Sequence, residues 1–190
     1  GRLLVLAFYG HTEDPFLEGG IGRVVREAYK DGSYGSIYFI RYSSHTKWNE
    51  SNTSYPFYTK SDNKGFVDAC NALLADNLKT MQWWDEDHGL DGFYSITEAG
   101  SAFNYYHRKD GKVTGLWKRS LCALSDDGIH FSKPVKSPTL IMAGGKMWGQ
   151  ATEDGRFAIC YNPIELDEYR YPLIVISSDD GIIYDNMLLV

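Results

Sequence analysis

The dipeptide Asp-Gly stands between strand-like runs at 31–32, 110–111, 127–128, 154–155 and 180–181. Asp and Gly tolerate the positive φ that a tight hairpin turn demands, so each occurrence is a hairpin signal. Residues 102–135 read as two hairpins in series. Ala102–Arg108 and Lys112–Lys118 flank Lys109-Asp110-Gly111; Ser120–Ser125 and a short run from His130-Phe131 flank Asp126-Asp127-Gly128. The same order returns at 146–189, with Lys146–Thr152, Glu153-Asp154-Gly155, Arg156–Asn162, Tyr171–Ser178, Asp179-Asp180-Gly181 and Ile182–Leu189. The first-turn glycines, Gly111 and Gly155, are 44 residues apart.

A four-strand unit repeating at that interval matches the blade period of a β-propeller. The N-terminal stretch fits a shortened copy: Arg2–Tyr9, Ile21–Tyr29, the turn Lys30-Asp31-Gly32 and Ile37–Arg41, with Gly1 in the place of the preceding turn glycine. The expected fold is therefore all-β, a partial propeller of four-stranded antiparallel blades with one helix-containing insertion. The segments are an incomplete blade at 1–42, an insertion at 43–100, a blade at 101–136 and a blade at 145–190. In the insertion, Phe66, Cys70, Leu73, Leu74 and Leu78 share a helical face, which predicts a helix over about 64–79 capped by Ser61. The chain opens inside a strand and reads as a fragment of a longer ring, so the remaining blades of that chain are expected partners.

The two outer turns, Ser125-Asp126-Asp127-Gly128-Ile129-His130-Phe131 and Ser178-Asp179-Asp180-Gly181-Ile182-Ile183-Tyr184, read Ser-x-Asp-Gly-x-x-aromatic. This resembles the Asp-box of sialidase-superfamily propellers, in a form one residue shorter before the Gly. Ile21-Gly22-Arg23-Val24-Val25-Arg26-Glu27, Trp148-Gly149-Gln150 and Tyr161-Asn162-Pro163 look like bacterial propellers of that superfamily, which include carbohydrate-active enzymes of several reaction types. The resemblance implies that the Asp-boxes are scaffold at the blade periphery. It also implies an extracytoplasmic protein. The sequence departs from true sialidases at Phe39-Ile40-Arg41-Tyr42, which lacks the Arg-Ile-Pro motif.

The net charge of −6 argues against nucleic acid or an anionic membrane surface as partner, and no run is long enough to span a membrane. Fourteen Tyr and five Trp suit both β-strands and sugar-stacking platforms. An oligo- or polysaccharide is the expected partner. Cys70, Cys122 and Cys160 show no metal-like spacing and read as small buried hydrophobes. No cofactor is expected; a structural calcium at a propeller centre stays compatible with the sequence. Gly19-Gly20-Ile21-Gly22 reads as a flexible turn before a strand.

If the Asp-Gly turns all lie at one end of the blades, chemistry belongs at the other. There the pattern places Tyr9, His11, Arg23, Arg41, Asn104, Trp117, Lys118, Trp148, Gln150, Asn162 and Arg170, with His45, Trp48, Asn49 and Tyr55 from the insertion. Arg23, Arg26, Arg41 and Arg170 suit a carboxylate-bearing sugar, because a guanidinium binds a carboxylate bidentately. Asn49, Trp117, Trp148, Gln150 and Asn162 complete the expected binding set. His45, Tyr55, Tyr106 and His107 are the acid–base candidates, with Tyr105 beside them. Glu50, Asp85, Glu86 and Asp87 could supply the carboxylate pair of a hydrolase. The expected function is action on an acidic glycan, hydrolase-like. The alternatives are a lyase using Tyr, His and Arg on a uronate, and a non-catalytic glycan-binding propeller.

Overall fold

The structure is a computed structural model that describes residues 1–10, 21–43, 48–81, 83, 102–141, 143–165 and 170–190. It divides into two compact units, Gly1–Tyr94 and Ser95–Val190.

The first unit holds a three-stranded antiparallel sheet, β1 (Leu3–Gly10), β2 (Ile21–Ala28) and β3 (Tyr38–Tyr42), in the order β1-β2-β3. Gly22 is a strand residue, paired with Tyr9 and Tyr42, and not part of a flexible turn. The helix of the insertion is α1 (Lys64–Ala75), followed by a single turn, α2 (Asn77–Thr80). Its cap is Asn63, whose Oδ1 accepts from the Phe66 amide at 3.2 Å. Ser61 acts one step earlier, accepting from the Asn63 amide at 3.3 Å. Asp76 breaks the helix and caps the second turn through the Lys79 amide. Phe66 packs on Tyr38 of β3 with ring centroids 5.3 Å apart. Arg2 reaches over Gly65 to both oxygens of buried Glu27 at 2.6 Å. A Cβ at Gly65 would stand 2.5 Å from the Arg2 guanidinium, so a side chain there would displace this ion pair.

The second unit holds two four-stranded antiparallel sheets. One is β4 (Asn104–His107), β5 (Val113–Trp117), β6 (Leu121–Ser125) and β7 (Val135–Lys136); the other is β8 (Met147–Ala151), β9 (Phe157–Tyr161), β10 (Ile174–Ser178) and β11 (Asn186–Leu189). Both run in chain order, as the two-hairpin repeat requires. The outer strands start later than the sequence pattern suggests. Phe131 makes only an isolated bridge to Ser125 before β7 begins. The intervening residues are consumed by the Ser-x-Asp-Gly turns, whose backbone groups bond to side chains instead of a neighbouring strand.

Those turns are built identically. Ser125 Oγ accepts from the amides of Asp127 (3.3 Å) and Gly128 (2.8 Å), and Asp127 Oδ1 accepts from Ile129 (2.8 Å) and His130 (2.7 Å). Ser178 accepts from Asp180 and Gly181, and Asp180 from Ile182 and Ile183, at matching distances. Gly128 and Gly181 take φ of 75° and 74°, which strains any residue with a Cβ. The His130 imidazole and the turn amides hold the Asp127 carboxyl well below the usual carboxylate range. The Ile183 and Ile182 amides lower that of Asp180.

The two sheets meet through buried Tyr106, Leu116, Met147, Phe157, Ile159 and Tyr184. Gly149 makes the close approach possible: a Cβ there would sit 2.8 Å from Leu116 Cδ1 and 3.2 Å from the Tyr106 ring. The Gly149 amide donates to Asn104 Oδ1 at 2.8 Å, tying β8 to β4.

Ser178→Ala is expected to destabilise the protein by about 1–3 kcal/mol, because it strands the buried Gly181 amide and the partly buried Asp180 amide, and chemical denaturation measures this. The turn carboxyls give an acid dependence. Their folded pKa values lie below the unfolded value, so their stabilisation is complete above roughly pH 4 and is lost as pH falls through the lower folded values. Asp127→Asn combined with Asp180→Asn should therefore lose less stability than the parent on acidification below about pH 4.

Candidate functional site

In the first unit, adjacent cross-strand rows of the sheet face opposite ways. Phe8, Arg23 and Arg41 are directly opposite one another on β1, β2 and β3 and form one row. Tyr9, Gly22 and Tyr42 form the next row, on the other face. A bulge follows, so that Val24 pairs with Phe39, and Ile40 is the extra residue. The bulge turns Phe39 to the Tyr9 face.

On the arginine face, Arg23 is buried at 7% exposure, with its guanidinium carbon 5.3 Å from the Phe8 ring centroid and 5.7 Å from that of Trp83. Arg41 is half-buried beside it. Two cations directly opposite on neighbouring strands oppose each other electrostatically. Aromatic faces offset part of that cost by cation–π attraction. In such a partly dry setting a guanidinium binds a planar anion more strongly than in water.

On the other face, Phe39 is fully buried at the centre of an aromatic cluster. Tyr9, Tyr42, Trp48 and Tyr55 lie with ring centroids 4.9 to 6.3 Å from it. Phe57 stacks on Tyr42 at 5.4 Å. The loop carrying these rings is fixed to β3, since the Phe39 amide donates to the Pro56 carbonyl at 2.8 Å. Its tip is also tied. Asn49 Oδ1 accepts from the Ser51 amide, the Asn49 amide donates to Asn52 Oδ1, and the Thr53 hydroxyl donates to the Asn49 carbonyl. Between loop and sheet lies a cavity of about 370 Å³ lined by Tyr9, Phe39, Trp48, Asn52, Thr53 and Ser54.

Several expected site residues do other work. Arg26 donates through Nε and Nη2 to the Gly35 carbonyl (3.1 and 2.9 Å) and lies over Tyr34, so it clamps the β2–β3 hairpin. Tyr106 is buried; its hydroxyl donates to the Gly181 carbonyl and meets the Tyr184 hydroxyl, and burial raises its pKa; it is part of the packing between sheets, without access for substrate. His107 is exposed but ends β4 beside the Asp-Gly turn, opposite Val113, which is the end away from the expected chemistry. Trp117 is 2% exposed between Phe103 and Phe131, a core residue and not a stacking platform. Asn162 Nδ2 donates to the carbonyls of Arg170 and Pro172 and closes the loop before β10. Asn49 ties the tip of its own turn. Glu50 pairs with Lys60 at 3.4 Å.

Trp148, Gln150 and Arg170 are exposed on the second unit. Tyr55 joins the Tyr9 cluster. His11, His45, Asp85, Glu86 and Asp87 lie outside the described residues. Cys70 is fully buried, which pushes its thiol up to about 11; Cys122 and Cys160 are half-buried, and all three are free. Sequence reasoning missed the importance of Gly22 and Phe39. Gly22 was legible only as a glycine inside a strand pattern, a sign of close approach.

Residues 1–100 match the family described as "Beta-prop_BT_1020:-like, N-terminal beta propeller". A solved structure titled "Sialidase" is similar over the whole chain, with 38% identity and a TM-score of 0.87. The chain spans 18% of that protein's length. No curated protein matches.

A Cβ at Gly22 would stand 2.9 Å from the Arg41 carbonyl oxygen and 3.0 Å from the Phe39 ring. Gly22→Ala should cost about 1–3 kcal/mol in urea unfolding, because backbone and a fully buried ring cannot give way cheaply.

Proposed function

The chain belongs to the BT_1020-like N-terminal β-propeller family, and from that premise we propose that it contributes to a carbohydrate-active enzyme that recognises a carboxylate-bearing sugar. The observation that carries this reading is the cross-strand pair Arg23–Arg41, flanked by Phe8 and Trp83. Two guanidinium groups can fork the two oxygens of one carboxylate, and the aromatic neighbours lower the local dielectric, which strengthens those bonds. The name of the similar structure, "Sialidase", points the same way, since the acid group of a sialic acid is a carboxylate.

Hydrolysis is the favoured chemistry. It needs a carboxylic acid to protonate the leaving oxygen and a second carboxylate as base or nucleophile. The run Asp85-Glu86-Asp87 follows Trp83 by two residues and is the proposed source of that pair. The lyase alternative would use Tyr and His near the arginines. Tyr55 packs instead with Tyr9 and Phe39, whose row faces away from Arg23 and Arg41, so among the acid–base candidates of the first unit the lyase reading rests on His45.

The test uses the full-length protein on acidic polysaccharides and on the same substrates after carboxyl reduction. Arg41→Leu should lower kcat/KM on the acidic form by about a hundredfold and leave activity on the reduced form unchanged. Asp85→Asn, Glu86→Gln and Asp87→Asn, made singly, should include one variant that binds but does not turn over. Products with new reducing ends and no ultraviolet-absorbing double bond identify hydrolysis; an unsaturated uronate product would overturn it. Equal losses on acidic and reduced substrates would remove Arg41 from acid recognition.

A further inference from the structure

We propose that the cavity beside β1 is a second sugar site, selective for a neutral pyranose ring and separate from the arginine row. Its volume of about 370 Å³ lies at the lower end of small-molecule sites, which suits one sugar unit and not a long chain segment. Its described lining carries no charge: Tyr9, Phe39, Trp48, Asn52, Thr53 and Ser54. Tyr9 and Trp48 supply aromatic walls, with ring centroids 5.7 Å apart and planes at 52°. The negative faces of such rings attract the C–H-rich faces of a pyranose. Ser54, exposed at one side, offers a hydroxyl that both donates and accepts, while Asn52 Oδ1 and the Thr53 hydroxyl hold the turn beside it.

Three observations separate this site from an acid anchor. The cavity row, containing Tyr9, and the arginine row, containing Arg23 and Arg41, face opposite sides of the sheet. Arg26 is committed to the Gly35 carbonyl. Among the described loop residues, Glu50 and Lys60 pair with each other. An anion would therefore lose its hydration here without a cation in the described lining to replace it, which is costly. A neutral sugar pays only hydroxyl desolvation and regains hydrogen bonds. The site is also pre-formed: the Asn49–Thr53 turn is held by its own hydrogen bonds, so binding orders little.

The proposal does not depend on the acid-recognition reading and is tested apart from it. Methyl glycosides of glucose, galactose and mannose, with methyl glucuronide as the acidic counterpart, are titrated into the protein by saturation-transfer NMR. At least one neutral glycoside should saturate in about the millimolar range, and Trp48→Ala should weaken it about tenfold. Ser54→Trp, at an exposed position, fills the cavity without touching the core and should abolish the neutral signal. Arg41→Leu should leave neutral binding within about twofold of the parent. The site is overturned if no neutral glycoside saturates, or if Ser54→Trp leaves binding intact. It is overturned equally if the glucuronide binds this cavity more tightly than every neutral glycoside, seen as a glucuronide signal that Ser54→Trp removes.

Discussion

Five glycines, Gly32, Gly111, Gly128, Gly155 and Gly181, adopt φ between 74° and 85°, and each closes a hairpin or its side-chain-bonded turn. An L-residue pays a steric cost in that region, so these positions fix where the chain reverses. Once the reversals are fixed, strand lengths and register follow, and with them the face to which every side chain points. The serine and aspartate of the two outer turns reinforce this by taking over amides that would otherwise lack strand partners. What this construction leaves open is the opposite end of each hairpin, together with the insertion, where no repeated turn constrains the sequence.

Register then does the sorting that composition cannot. Phe8 and Tyr9 are adjacent in the chain, yet one stands beside Arg23 and the other beside Gly22, on opposite faces of the sheet. The same one-residue step separates the arginine row from the aromatic row. The bulge at Ile40 adds a second decision, because it turns Phe39 away from Arg41 and into the cluster with Tyr9. Gly22 makes both rows possible at once. It lets Phe39 lie against β2 while the Arg41 carbonyl keeps its place.

The fold was legible because its determinants are local: Asp-Gly pairs, strand runs between them and a repeat interval all survive reading in one dimension. The site was legible only in part. The strand pattern puts Tyr9, Trp48 and Tyr55 at one end of the sheet, and their rings cluster around Phe39. Trp117 and Trp148 read alike, as tryptophans at strand ends, but one is 2% and the other 62% exposed. The difference lies in what each sheet face meets, and period-two alternation does not carry that information. Asn162 and Arg26 look like binding residues by type, and only the loop and hairpin they close reveal that their donors are spent on main-chain carbonyls. The helix cap was misplaced by two residues for a similar reason: Ser61 and Asn63 are both competent caps, and the approach of the chain from the 3₁₀ turn at Tyr58–Lys60 decides between them.

The interval of 44 residues that relates Gly111 to Gly155 also relates Asn104 to Trp148, and the contrast at that pair shows where the repeat stops being structural. In β4, Asn104 accepts from the Gly149 amide, and its cross-strand neighbour Leu116 is buried against the next sheet. In β8, the corresponding Trp148 has no acceptor to offer, and its cross-strand neighbour Cys160 is only half-buried. The turns of the two sheets are interchangeable in their hydrogen bonds; their inner strands are not. A repeat conserves what each unit needs in order to close on itself, namely the glycine turns and the buried serines. It is free to vary wherever a side chain meets something other than its own sheet. The arginine row, the cavity loop and Trp148 all lie at such positions, so the departures from the repeat mark the surfaces on which recognition can be built.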